Sequence, residues 1–167
     1  MSDWTSQQIQ LHRELLEKTH SLKSWRQVAE HCFDDCEFHD PASPAEVAEA
    51  EAKLGVALPE ELKALYLQSN GLFANYGANL IMSIQDCLAE NHTMRSSPDF
   101  RELYMPFDHL LIFGGAGNGD LFFFPVMIDG SLGNENVFIW DHETDSRQWF
   151  AGGLKDFLAR YAVNLEA

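Results

Sequence analysis

Asp141, His142, Glu143 and Asp145 crowd into one short stretch near the end of the chain. Carboxylate oxygens and an imidazole nitrogen at that density are a ligand set for a divalent cation. The stretch lacks the central glycine and late glutamate of a calcium loop, and no His-Glu-x-x-His occurs in the chain. It lies between two strand-like runs, so a polar hairpin turn is expected, and no metal. Cys32 and Cys36 lie one helical turn apart, with His39 nearby. Zinc sites use a tighter cysteine pair plus a second pair, whereas Cys87 stands alone. Small buried apolar thiols are the expected reading. A Cys–His nucleophile assembled from separate segments is the enzymatic alternative. No Gly-x-Ser-x-Gly elbow offers a serine nucleophile. The run Gly114–Gly119, GGAGNG, is glycine-rich enough to suggest a phosphate loop. Asp120 and Leu121 stand where Lys and Ser or Thr are needed, and a strand-like run comes next where a helix is needed. A turn is therefore expected there, and no cofactor.

The elements around these residues carry clear start and stop signals. Ser43, Pro44 and Glu46 read as N-cap, first helical residue and capping-box acid, and Gly55 suits a left-handed helix end. Pro59, Glu60 and Glu61 open a second helix with Leu62, Leu65 and Tyr66 on one face, closed by Asn70–Gly71. Residues up to about 35 read as helical, with Leu22, Trp25, Val28, Ala29, Cys32 and Phe33 as an apolar stripe and Ser24–Gln27 as a second capping box. Phe38 to Pro44 reads as a connector. A short strand is expected at Leu80–Ile84, then a helix to about Met94. Arg95 to Phe107, with its serines and prolines, reads as an exposed irregular loop. Strands are expected at His109–Phe113, Asp120–Val126, Asn136–Trp140 and Gln148–Phe150, and a closing helix at about 154–163. Phe122 and Phe124 alternate with Phe123, which implies that both faces of that strand are covered. Phe138, Trp140, Trp149 and Phe150 read as cross-strand pairs, with Trp140 buried. Helices first and short-turned strands later make an α+β domain: N-terminal helices, a largely antiparallel β-sheet and a C-terminal helix.

A chain of 167 residues holds one good core. Its net charge of −15 disfavours direct binding to nucleic acid or to anionic lipid. It suits either solubility or a basic protein partner. The apolar runs are too short to span a membrane. The N-terminal stretch lacks the basic start and apolar run of a signal peptide. With three unpaired cysteines, this sets the expectation of a cytoplasmic protein.

The order of four motifs resembles the SUKH superfamily, in its Smi/Knr-type branch. These are Leu54–Gly55 with Leu58-Pro59-Glu60-Glu61-Leu62 and Ser69-Asn70-Gly71; Leu111–Phe124, LIFGGAGNGDLFFF; Val137–His142, VFIWDH; and Ala151–Leu158, AGGLKDFL. The resemblance implies a SUKH-like domain over residues 42–163. Residues 1–41 would be a helical extension packed on it, giving a single globular unit. It further implies a non-catalytic protein-binding module. The family includes bacterial immunity proteins that neutralise a toxin, often a nuclease, and fungal cell-wall assembly regulators. An immunity protein with a basic partner domain is the expected function, and a general regulatory or scaffolding module is the alternative. Asp120, Glu135, Asp141, Glu143 and Asp145, in turns beside the late strands, are the expected partner contacts.

Overall fold

The computed structural model describes residues 3–74 and 77–165; the first two residues of the helical N-terminal reading lie outside it. Local signals give the elements that they specify. Helix α1 spans Ser6–Ser21 and α2 spans Trp25–Cys32. At α2 the Ser24 hydroxyl accepts from the Gln27 amide, but the Gln27 side chain reaches back to the Lys23 amide, so the box is not closed on the cap itself. Helix α3, Pro44–Leu54, has the full capping box: Ser43 Oγ accepts from the Glu46 amide, and the Ser43 amide donates to Glu46 Oε2 at 2.7 Å. Gly55 ends it at φ +73°. Helix α4 spans Glu60–Tyr66.

The chain then differs from the sequence reading in three places. First, Ser69-Asn70-Gly71 is a junction rather than a helix end. Ser69 Oγ accepts from the His39 amide, and Asn70 Oδ1 accepts from the Ile84 amide. Phe38, read as the start of a plain connector, is instead the last residue of strand β1, Cys36–Phe38, which pairs with β2, Leu72–Ala74. With β3, Ala78–Ile81, these form a three-stranded antiparallel sheet, β1-β2-β3. Second, the expected irregular loop is mostly helix: α5 runs Ile84–Ser96 and α6 runs Pro98–Leu103. Third, Gly114 and Gly115 belong to strand β4, Leu110–Gly115, so the turn is confined to residues 116–120.

Strands β4, β5 (Leu121–Pro125), β6 (Val137–Trp140) and β7 (Arg147–Ala151) form a second antiparallel sheet in sequence order. Helix α7, Leu154–Leu165, closes the described fold. The expected α+β architecture is present, with two antiparallel sheets where one was expected. They meet where the Met82 amide donates to Phe113 O at 2.8 Å. Gly114 makes that approach possible, because a Cβ there would lie 2.0 Å from Leu80 O.

Both faces of β4 and β5 are buried, as the Phe122–Phe124 run implied for β5. Leu111, Phe113, Phe122 and Phe124 join the main core, where Phe157 of α7 meets Phe113 and Phe122 edge-on at 5.4 and 4.7 Å. Leu110, Ile112, Leu121, Phe123 and Trp140 face a smaller core completed by Cys87, Met94 and Phe107. Helix α5 is fixed over that face by Asn91. Its Oδ1 accepts from the Ile112 amide, and its Nδ2 donates to Ile112 O. The N-terminal helix packs on α7 at the opposite end of the chain. His12 Nε2 lies 2.6 Å from Asp156 Oδ1, and Trp4 Nε1 donates to Asn164 Oδ1 at 2.8 Å.

Candidate protein-interaction surface

Two turns meet at one end of the second sheet. Leu121 pairs with Trp140, so the turn before β5 and the turn after β6 lie side by side. Asp120 bridges them. Its Oδ1 accepts from the His142 backbone amide at 3.1 Å and lies 2.6 Å from His142 Nδ1. Burial pushes the Asp120 carboxyl up, but the hydrogen bonds from His142 and Asn118 outweigh this and hold it below its usual value. The same contact, with burial opposing it, raises the His142 imidazole above its usual value.

Asp145 organises the second turn. It sits at φ +58°, in the left-handed region, and its Oδ1 accepts from Trp140 Nε1 at 2.8 Å and from Arg147 Nη2 at 3.2 Å. Its Oδ2 accepts from the Met105 amide at 2.8 Å. Burial opposes ionisation here too, and these donors outweigh it, leaving the carboxyl below its usual value. Arg147 then donates to the carbonyls of Met105 and Pro106, and Tyr104 OH donates to His142 O. The segment after α6 is thereby tied to the turn. Trp140, 3% exposed as expected, is walled by Tyr104 and Phe107 at ring distances of 5.1 and 5.2 Å.

The five expected contact residues therefore have different situations. Asp120 and Asp145 hold the turns together. Asp141 Oδ1 accepts from the amides of Glu143 and Thr144, and the residue is half-buried. Glu143 is exposed at the tip. Glu135 is exposed at the other end of β6, separated from the rest by about 13 Å of strand. There it repels the carboxylate of Glu61. The sequence reading missed the apolar neighbours: Leu103 and Met105, 70% and 55% exposed, flank the tied segment beside Asp145. A Leu at the end of a six-residue helix and a Met in the segment after it carry no periodic signal, so only the Met105–Asp145 contact reveals their place.

Asp120, Asp141 and His142 bring three ligand atoms within 4.8 Å of one another. Asp120 is remote in sequence from the Asp141–Asp145 stretch, so spacing alone does not join it to that set. As arranged, the group is a hydrogen-bonded clasp, and a cation would have to displace the His142–Asp120 contact to bind.

The model of the family described as "SMI1 / KNR4 family (SUKH-1)" matches residues 41–160. The chain belongs to this family. A 75-residue stretch is also 38% identical to "Uncharacterized protein YnaB" of Bacillus subtilis (strain 168), covering 44% of this chain. The chain spans about half the length of that curated relative, 49% of it. Helices α1 and α2 and strand β1 precede the region matched to the SMI1/KNR4 family. Within that region, the Gly-Asp of Gly119–Asp120 and the Trp-Asp-His of Trp140–His142 are the residues that clasp the two turns. Their contacts hold this end of the sheet in shape.

The thiols are unsuited to nucleophilic work. Burial, with Cys36 adding to it, pushes Cys32 up to about 12, and burial with nearby acids pushes Cys36 up to about 11. Burial raises Cys87 to about 12, and its Sγ donates to Ile112 O at 3.0 Å. All three are thiols rather than thiolates at neutral pH. No helix among the described residues is long and apolar enough to cross a membrane.

Proposed function

We propose that the chain is a non-catalytic protein-binding module, and specifically a cytoplasmic immunity protein that neutralises a cognate toxin domain. The observation that carries this reading is the SMI1/KNR4 match over residues 41–160. The net charge of −15 supports it, because a nuclease groove is basic and an acidic surface competes with its phosphate ligand. The contact surface is the clasped turn end of the second sheet: Asp141 and Glu143 supply charge, and Leu103 and Met105 supply apolar area. Interfaces draw most of their affinity from a few well-packed, desolvated residues, while rim charges steer the encounter. The reading involves no metal, no cofactor and no direct contact with nucleic acid.

Co-expression with a neighbouring candidate toxin tests the function. Protected cells and a complex seen by calorimetry at low salt are expected. Equal killing with and without this chain, and no complex, would reject the immunity role for that pair. A complex without protection would leave a regulatory module.

A further inference from the structure

A cleft of about 770 Å³ opens between the end of α3 and the length of α5, with Arg101 of α6 closing one side. Its size falls within the range of small-molecule sites. Leu54, Leu88 and Ala89 supply its apolar lining. Its charge runs against that of the molecule. The chain has 26 acidic residues against 11 Lys and Arg, yet the cleft is lined by Lys53, His92, Arg95 and Arg101 and by one acid, Asp108.

Lys53 is paired with Glu49 at 2.9 Å. The two arginines are different: among the described residues neither has a carboxylate within 4.0 Å. Arg95 Nη2 donates to Leu110 O at 2.8 Å, while its Nε is buried with no hydrogen-bond partner among the described residues. Arg101 Nη2 makes a long 3.3 Å contact to the Arg95 backbone carbonyl, and both arginines line the same cleft. A guanidinium has roughly five N–H donors, so most of theirs remain unused. Burial also disfavours the charge on Arg95, and Asp108 offsets this only in part. A half-buried cation with an orphaned donor, beside a second unpaired guanidinium, is stabilised by an oxyanion that both can reach.

We propose that this cleft binds a small organic oxyanion, a carboxylate or a phosphate monoester, held by Arg95 and Arg101 with its carbon body against Leu54, Leu88 and Ala89. The site is separate from the clasped turns, and the proposal does not depend on the immunity reading.

The test is a titration of the full chain with phenyl phosphate, benzoate and inorganic phosphate, at ionic strength fixed with chloride and followed by amide NMR shifts. Saturable shifts confined to the cleft, with at least one of the organic probes, are expected. The stronger of the two identifies the head group, and a weaker inorganic phosphate response supports a role for the apolar wall. Arg101→Gln should weaken binding by about tenfold or more, since a charge-assisted bidentate contact is lost. Arg101→Lys should fall between the two, and Lys18→Gln on α1 should bind as the parent does. Arg101 is exposed and its one side-chain hydrogen bond among the described residues is long, so the variant should melt with the parent. No saturable shift with any probe, shifts reproduced by chloride alone, or equal affinity in Arg101→Gln would each overturn the proposal.

Discussion

Trp140 links burial to turn geometry. Its ring fills the smaller core, and its Nε1 holds the carboxylate that shapes the next turn. Trp140→Ala should cost about 3–5 kcal/mol in chemical denaturation, the range for a fully packed large side chain. Trp140→Phe keeps most of the packing and should cost only about 1–3 kcal/mol, from the unsatisfied Asp145. Equal midpoints for both variants and the parent would show that the ring is not packed as described. The Asp120–His142 clasp has a pH signature. His142 is raised in the folded state, so its contribution is full below its ordinary value of 6.5 and is lost as pH rises through the raised one. Asp120 is lowered, so its contribution is full above its ordinary 3.8 and is lost as pH falls through the lowered one. The clasp is strongest between those ordinary values. Thermal melts of the parent and Asp120→Asn should therefore differ most in mildly acidic buffer, and the gap should narrow toward about pH 9. A gap independent of pH would mean that only the backbone contact of Asp120 matters.

At the scale of elements, the decisive arrangement is the contact between sheets. Strand β3 comes so close to β4 that residue 114 has no room for a side chain, and Gly114 is needed for space rather than for an unusual backbone angle. Gly114→Ala places a Cβ against a backbone carbonyl that cannot rotate away. It should cost about 3 kcal/mol, the upper end for overpacking. Gly117→Ala, in the turn itself, meets only the Ala78 Cβ at 3.8 Å but has φ +84°. Its cost is conformational and smaller, about 1 kcal/mol. Denaturation midpoints of the two variants check the order, and a milder effect at 114 would contradict the close approach. The turn signal in GGAGNG was legible from composition. That its first two glycines lie in a strand was not, because the element they accommodate is β3, remote in sequence.

At the scale of the whole molecule, the charge of −15 acts at a distance, whereas the contacts that resist dissociation are local. Asp141→Lys with Glu143→Lys leaves the Trp140–Asp145 and Asp120–His142 contacts in place and removes the two bonds that Asp141 Oδ1 accepts in the exposed turn, so folding should lose only about 1–2 kcal/mol. Association with a basic partner should slow by about tenfold or more at low salt, and the deficit should shrink as salt rises. Met105→Ala should instead speed dissociation, since it removes apolar area. Stopped-flow association and dissociation rates separate the two. A double reversal that leaves the association rate unchanged would move the contact surface away from this end of the sheet.

Local chemistry determined much of the fold in advance. A capping box at Ser43, a left-handed glycine at 55 and the alternating phenylalanines of β5 each act through neighbours within a few residues, so α3, its end and a doubly covered strand could be read directly. The α+β class and the family motifs came from the order of such signals. Tertiary structure decided what required distant partners. Short strands β1 and β2 are fixed by their pairing, not by the propensity of three residues each. Helix α6 and the tied segment after it are held by Tyr104 and Arg147 against a turn some 40 residues away. The site was legible as a set of acids and not as a geometry. Asp120 and Asp145 became structural clasps because donors from other segments reach them, Glu135 moved to the opposite end with the direction of β6, and Arg95 and Arg101 share a cleft in which, among the described residues, no carboxylate comes within 4.0 Å of either.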